Sequence, residues 1–475
     1  MSSSNLPRKS PKPTPAPQAP QATSTPAATA PAPQAPKPTT PYGLLGKTLG
    51  HSWSPEIHQQ LGSAPYALYE LQSDQLEQFI RHEHWRGLNV TIPYKQQVAR
   101  LADSCSDAMK HIGAANTLVK DEKGRIVAHN TDALGFLQLL KHVCTQQLGL
   151  PDARTLVAHK KVLVLGSGGA SKAIRYVLEQ LQAQVVIISR NPLKSSCAAQ
   201  TANSPVRYDS YGSLNQRHRD AVLLVNATPV GMYPNTEASP LSHTQFEALE
   251  SVKAVIDSIY NPQITRLGQD ALACHKVYAN GLRMLAAQAW AAAQLFLHKE
   301  IDTTCIDRIV HNLAQRMQNV ALIGMPGVGK TTTGQLLAQR LGRPFIDLDD
   351  AFTQIVGTTP ADFIRKHTEA AFRARETEVL QVYAKKSGQI LSCGGGVVCR
   401  HKNYELLKQN ATIVMLNRPL KALSCKNRPI TQVQGLQALQ QARMPLYQQW
   451  ADISIHNPSS PAAAAQTIID TLSLS

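Results

Sequence analysis

The sequence predicts an α/β protein made of two successive parallel-sheet units, and three observations carry that reading. Short continuous apolar runs, among them Lys161-Val-Leu-Val-Leu165 and Gln184-Val-Val-Ile-Ile188, alternate with helical stretches, as buried parallel strands alternate with helices. Glycine-rich turns at 166–169 and 324–329 each follow an apolar run and open a helical stretch. The length of 475 residues, at roughly 150 per domain, suggests about three domains.

Taken in order, residues 1–40 are almost entirely Pro, Ala, Gln, Ser and Thr, hold no acidic or aromatic residue, and repeat Ala-Pro-Gln-Ala-Pro at 16–20 and 32–36. Prolines at that density remove backbone donors and forbid helix and sheet, so a disordered, extended tail is expected there. From 41 onward strands are expected at Leu88–Ile92, 161–165, 184–188, Ala221–Val225 and Ala254–Ile256. Helices are expected at Lys172–Leu181 and Thr333–Leu341. Ile306, Ile309, Val310, Leu313 and Met317 fall on one helical face, with Asp302 or Thr303 able to cap it. A strand at Asn319–Ile323 follows at once, so the last third is joined to the rest by a helix rather than by a floppy linker.

Composition narrows the function classes. The formal net charge is +16, but the excess is spread along the chain and aromatics are only 5%, so neither a basic stripe nor stacking residues point to nucleic acid. No apolar run reaches the ~18–20 residues of a membrane span; the closest, Met284–Leu297, contains Gln288 and Gln294. Eight scattered cysteines without metal-ligand spacing read as free buried thiols in a reducing compartment. The N-terminus lacks the apolar core of a secretory signal, so a cytoplasmic location is expected.

Gly324-Met-Pro-Gly-Val-Gly-Lys330-Thr331 fits the G-x-x-x-x-G-K-[ST] pattern between a strand and a helix. Backbone N–H groups of Gly327, Val328, Gly329, Lys330, Thr331 and Thr332 would wrap the phosphates of ATP. Lys330 reaches the terminal phosphates, and Thr331 holds Mg²⁺. The loop Gly166-Ser167-Gly168-Gly169-Ala170-Ser171 departs from strict G-x-G-x-x-G. The next strand, however, ends in Ser189-Arg190-Asn191, where an NAD site would place an acid; Arg190, with Lys194, suits the 2′-phosphate of NADP.

Polar clusters between 41 and 132 add a binding site for a hydroxylated or carboxylated small molecule. The set His51-Ser52-x-Ser54-Pro55, Asn89-Val-Thr91-x-Pro-x-Lys95, Gly113-Ala-Ala-Asn116-Thr117 and Asn130-Thr-Asp132 resembles shikimate dehydrogenase. The same holds for Asn226-Ala-Thr-Pro-x-Gly231-Met232, Asp257-x-x-Tyr260-Asn-Pro262 and Gly281-x-x-Met284-Leu-x-x-Gln288. The resemblance implies that Ser52, Ser54, Thr91, Asn116, Asp132, Tyr260 and Gln288 contact shikimate. It implies that Lys95 and Asp132 form the catalytic pair, and that Gly281 touches the cofactor. Reduction of a ketone needs a proton for the nascent alkoxide, and a Lys beside a carboxylate can donate it.

Residues 319–475 likewise resemble shikimate kinase, through the phosphate loop, Asp347-Leu-Asp349, Phe372-Arg373-x-x-Glu376, Gly394-Gly395-Gly396, Arg428-Pro429 and Arg443-x-Pro-Leu-Tyr447. That resemblance implies that Asp347 supports one Mg²⁺, that Asp349, Arg373, the three glycines and Arg443 bind shikimate, and that Arg428 lies in a lid over ATP. Asp349 would accept the proton of the attacking hydroxyl, and Lys330 would act catalytically. Leu348 stands where the family usually has Thr, and the lid segment is short.

The expected architecture is a disordered tail (1–40) and a two-domain dehydrogenase with a Rossmann-like NADP domain. The substrate domain takes 41–131 and 281–300, and the NADP-binding domain 132–280. A connecting helix (301–318) then leads to a P-loop kinase domain with a parallel sheet (319–475). The expected function is consecutive NADPH-dependent reduction of 3-dehydroshikimate and ATP-dependent phosphorylation of shikimate. Small molecules are the expected partners, with no nucleic acid or membrane, and a homodimer is left open. Two alternatives remain at this point, a quinate-preferring dehydrogenase fused to another kinase and a nucleotide-sensing scaffold with inactive sites.

Overall fold

The computed structural model describes residues 37–50, 52–82, 84–192, 207–423, 435–456 and 460–474. His51, Lys194, Arg428, the tail up to residue 36 and residues 428–434 of the expected kinase lid lie outside these residues.

Among the described residues, three sheets organise the chain. The first contains β1 (Tyr42–Gly46), β2 (Tyr66–Glu70), β3 (Gly87–Val90), β4 (Ser104–Cys105), β5 (Thr117–Lys120) and β6 (Ile126–His129), in the order β2-β1-β3-β5-β6-β4. It is mixed, with β1 parallel to β2 and β3, and β5 antiparallel to both β3 and β6. The second contains β7 (Lys161–Leu165), β8 (Gln184–Ile188), β9 (Arg207–Asp209), β10 (Leu223–Asn226), β11 (Ala254–Asp257) and β12 (Val277–Ala279). Its pairings are all parallel, in the order β12-β11-β10-β7-β8-β9. This is the doubly wound order whose reversal between β7 and β10 makes a crevice at the strand ends. The third contains β13 (Asn319–Ile323), β14 (Phe345–Asp347), β15 (Ile390–Ser392), β16 (Ala411–Asn417) and β17 (Ile453–His456), in the order β14-β15-β13-β16-β17, again parallel.

The helix Asp132–His142 leaves the first sheet and packs Ala133, Phe136, Leu139 and Leu140 under Val162, Val164, Leu223 and Val225 of the second. The helix Thr304–Met317 buries Ile306, Ile309, Leu313 and Met317 against Ile57, Leu282, Ala286 and Ala293. It therefore belongs to the dehydrogenase core on one face, while Arg343 of the kinase half donates to the carbonyls of Gln315 and Gln318 at its end, both at 3.1 Å. No helix among the described residues is long and apolar enough to cross a membrane.

Several boundaries differ from the sequence reading. β3 ends at Val90, not Ile92, because the chain turns where the Tyr94 amide donates to the Thr91 carbonyl, leaving Ile92 76% exposed. The fourth strand of the second sheet runs from Leu223 to Asn226 rather than from Ala221 to Val225. The two glycine-loop helices begin at Gly169 and Lys330, three residues before the apolar periodicity does; a first turn that offers N–H groups outward need not bury side chains. Thr303 holds the N-cap position of the connecting helix without a side-chain bond, and Asp302, one residue earlier, accepts from the Thr304 amide at 2.7 Å. Of the free thiols described, Cys144 and Cys393 are buried, Cys105, Cys274 and Cys305 are half-buried and Cys399 is exposed. General burial of the thiols does not hold, since Cys105 sits in the short edge strand β4 and Cys274, Cys305 and Cys399 at helix ends.

Candidate active sites

The first site is a cleft of about 850 Å³ between the first two sheets. Ser52, Ser54, Thr91, Lys95, Asn116, Asp132, Tyr260 and Gln288 all line it, together with Ala170 and Gly281. Lys95 opens one helix (Lys95–Leu101) and Asp132 opens another (Asp132–His142). The Lys95 ammonium donates to Asp132 Oδ2 at 2.5 Å. Asn116 Nδ2 donates to Asp132 Oδ1 at 2.8 Å and reaches Gln288 Oε1 at 3.4 Å. Asn116 Oδ1 in turn accepts from the Thr131 amide at 2.7 Å. Both Asn116 and Asp132 are buried, so the carboxylate can neither rotate nor retreat without breaking several bonds. Ser52 Oγ donates to Ser54 Oγ at 3.1 Å, aligning two hydroxyls at the same wall.

His58, Asn89, Met232 and Met284 also line this cleft and were not assigned as site residues from sequence. His58 was legible in principle, lying four residues after Ser54 on one helix and hence on the same face. Burial drives its imidazole down to about 3, so it is a neutral wall and not a proton carrier. Asn89 accepts from the Tyr66 hydroxyl at 2.8 Å and donates to Thr117 Oγ1 at 3.1 Å, tying β3 to β5 behind the catalytic face.

Gly166, Ser167, Gly168 and Gly169 lie at the end of β7, at the reversal of strand order. The helix Gly169–Gln180 starts without a side-chain cap, and the space around Gly168 and Gly169 is open. A helix start without a side-chain cap and with open space at these glycines leaves room for a pyrophosphate, which helix N-termini favour. Ser189, Arg190 and Asn191 follow β8 on the neighbouring strand end, with Arg190 exposed.

The second site is a cleft of about 380 Å³ in the kinase half. It gathers Gly327, Gly329, Lys330, Thr331, Thr332, Asp347, Asp349, Arg373, Gly394, Gly395, Gly396 and Arg443. The Val328 side chain is instead buried in the core, leaving only its backbone for the loop. Gly329, in the left-handed region at φ 101°, begins a helix with no side-chain cap. Lys330 Nζ donates to the carbonyls of Gly324 and Met325 at 2.9 and 3.2 Å. Thr331 Oγ1 donates to Asp347 Oδ2 at 2.8 Å, and Asp347 Oδ1 accepts from the Asp349 amide at 3.0 Å.

Burial, with Asp347 and Glu376 nearby, pushes the Asp349 carboxyl up to about 6. The Arg373 guanidinium donates to Glu376 Oε2 at 2.9 Å and Glu369 Oε1 at 3.0 Å, two partners that sequence reasoning did not assign to the site. A Cβ on Gly396 would fall inside that guanidinium, which is why the strand-end turn has no side chain there. Arg443 and Tyr447 both donate to the Gly395 carbonyl, the former at 3.0 Å, so the glycine turn is fixed from beneath.

Known proteins match both sites in chain order. The family described as shikimate dehydrogenase substrate binding domain matches residues 44–118, and shikimate kinase matches residues 326–473. A Clostridium beijerinckii shikimate dehydrogenase (NADP(+)) is 31% identical over 270 residues, covering 55% of this chain and 93% of its own. A chloroplastic bifunctional 3-dehydroquinate dehydratase/shikimate dehydrogenase of Arabidopsis thaliana is 30% identical, covering 54% of this chain and 44% of its own. Among solved structures, a chorismate mutase/shikimate 5-dehydrogenase fusion protein from Clostridium acetobutylicum aligns with a TM-score of 0.50 at 31% identity, covering 57% of this chain and 96% of its own. With its first cleft and doubly wound sheet on the dehydrogenase side and its phosphate loop on the kinase side, the chain belongs to the shikimate dehydrogenase family and carries a shikimate kinase domain behind it, as a bifunctional shikimate-pathway enzyme.

Proposed function

We propose that the first cleft reduces 3-dehydroshikimate to shikimate with NADPH, and that the second transfers the terminal phosphoryl group of ATP to the 3-hydroxyl of shikimate. The observation that carries this reading is the Lys95–Asp132 contact of 2.5 Å, held by Asn116 inside a cleft of hydroxyls and amides. NADPH supplies the hydride there, while ATP with one Mg²⁺ supplies the phosphoryl group and its counter-charge in the second cleft.

In the first cleft Lys95 delivers a proton to the oxygen that becomes the new hydroxyl, and Asp132 keeps the ammonium on that side. Ser52, Ser54, Thr91, Tyr260 and Gln288 orient the ring and carboxylate. The open helix start at Gly168–Gly169 would hold the cofactor's pyrophosphate, and Arg190 would pair with its 2′-phosphate. In the second cleft Arg373 and Arg443 take the carboxylate of shikimate as guanidinium forks do, and Asp349 accepts the proton of the attacking hydroxyl. Thr331 and Asp347, a hydroxyl and a carboxylate 2.8 Å apart, are the hard oxygen donors that Mg²⁺ takes beside phosphates, and they would hold it. The half-buried and buried free thiols suit a reducing cytoplasm.

Incubating the protein with dehydroshikimate, NADPH, ATP and Mg²⁺ and identifying every product tests the whole reading. Shikimate 3-phosphate is expected, with one NADPH oxidised for each molecule formed. Recovery of unchanged dehydroshikimate would refute it.

A further inference from the structure

Two loops of the dehydrogenase half have the substrate cleft on one side and the kinase half on the other. The first follows β11. Asp257, at its start, accepts from Asn226 Nδ2 at 3.1 Å, the Ile259 amide at 3.0 Å and Thr265 Oγ1 at 2.8 Å, closing the segment 258–265 from inside. Ser258 and Tyr260 of this segment line the cleft. Three residues on, the chain meets the kinase. The Gln263 amide donates to Asn410 Oδ1 at 2.9 Å and the Ile264 amide to the Gln409 carbonyl at 2.9 Å.

The second loop carries Met232, which also lines the cleft. Its Thr236 carbonyl accepts from the side chain of buried Gln409 at 3.1 Å. The Tyr233 amide donates to the Asn261 carbonyl at 3.0 Å, so the two loops move as one.

Charged and polar groups of the kinase helix His401–Lys408 extend the seam. Arg266 meets Glu405 at 2.7 Å, Lys402 meets Glu237 at 2.6 Å, and Gln269 Nε2 donates to the Glu405 carbonyl at 2.6 Å. On the far side Gln263 Nε2 donates to the Ala314 carbonyl of the connecting helix at 3.1 Å. Asn280, next to Gly281 of the cleft, donates to the Gln263 carbonyl at 2.9 Å.

We infer that the kinase edge 402–410 is a built part of the dehydrogenase, with Gln409, Asn410 and Glu405 acting as positioning residues that set Tyr260 and Met232 in the substrate cleft. Backbone amides donated across the seam fix the loop far more tightly than solvent would. A substrate-contacting ring held three residues from such anchors inherits their placement, and small misplacements of contact groups are costly. The kinase half thus serves the dehydrogenase reaction without touching its substrate. This rests on the dehydrogenase reading of the first cleft.

The test uses the full-length chain with Glu405→Arg, Arg266→Glu, the two combined, and Gln409→Ala. None of these residues belongs to either reacting site. The single variants should raise KM for dehydroshikimate roughly fivefold, the scale of one contact pair's coupling, with kcat little changed. The combined charge swap should bring KM back toward the parent value. Amide hydrogen exchange at Gln263 and Ile264 should speed up in the single variants, while phosphorylation of added shikimate stays near the parent rate. Faster exchange with KM unmoved would overturn the inference, since the seam would then form without positioning anything. Unaltered exchange and KM in every variant would overturn it too. A parent protein that fails to reduce dehydroshikimate would instead bring down the functional reading itself, an outcome distinct from both.

Discussion

Lys95 and Asp132 each begin a helix, and their side chains converge from different elements to 2.5 Å. Because Asp132 is also held by Asn116, removing the ammonium leaves a buried carboxylate with one partner and no proton donor. Lys95→Ala should lower dehydroshikimate reduction by about 10²–10⁴ in rate and leave phosphorylation of added shikimate untouched. An NADPH absorbance assay decides it, and near-parental reduction would remove Lys95 from the mechanism. Asp349, as the proposed proton acceptor, should make the kinase reaction pH-sensitive. Its carboxyl titrates at about 6, raised by burial and by Asp347 and Glu376. Only the ionised form accepts a proton, so kcat/KM for phosphorylation should be flat above about pH 6 and fall as pH drops below it. Asp349→Asn should abolish phosphorylation of added shikimate at every pH, because the amide cannot accept the proton. A variant that still phosphorylates shikimate near the parental rate would contradict that assignment.

At the scale of elements, the two glycine loops do the same work on different sheets. Each follows a buried strand, each starts a helix with no side-chain cap, and each borders a cleft or open space. This much was readable in the sequence, because glycine spacing after an apolar run is a local signal. Where the helices begin was not, since the first turn carries no apolar periodicity. Cofactor choice belongs to the end of β8. Arg190→Asp should weaken NADPH and narrow its advantage over NADH, because it replaces a cation facing a dianionic phosphate with an anion. Comparing kcat/KM with both cofactors reads this directly, and a parent enzyme that prefers NADH would show the inference from Arg190 to be mistaken. The pairing of Arg373 with Glu369 and Glu376 is likewise an element property, since residues three and four apart on one helix face meet. That spacing stood in the sequence; only burial reveals that the pairs fix the guanidinium beside the three glycines.

For the whole molecule, the two reaction clefts share no lining residue, although the halves are joined by a packed helix and a polar seam. Shikimate should pass between them through bulk solvent. Turnover of about 1–10³ per second leaves a released small acid ample time to diffuse away before it is phosphorylated. Supplying labelled dehydroshikimate with a large excess of unlabelled shikimate should dilute the label in the phosphoester. Undiluted label there would demonstrate direct transfer.

The sequence by itself determined the chemistry. The glycine loops, with Lys330 and Thr331, and the buried strands of the two parallel sheets are spacings that local physics makes legible, while Lys95, Asp132 and Asp349 stood out through the motifs the sequence shares with the two families. Tertiary structure alone decided what faces what. Nothing local in Gln263, Ile264 or Glu405 says that a kinase edge lies behind a dehydrogenase loop, and nothing in Arg343 says that it holds the last carbonyls of the connecting helix. Nor does the sequence around His58 say that its imidazole is buried and neutral. These are contacts between residues far apart in the chain, and polar side chains carry no periodicity that records their distant partners. Burial and long-range hydrogen bonds exist only once the sheets and helices have packed.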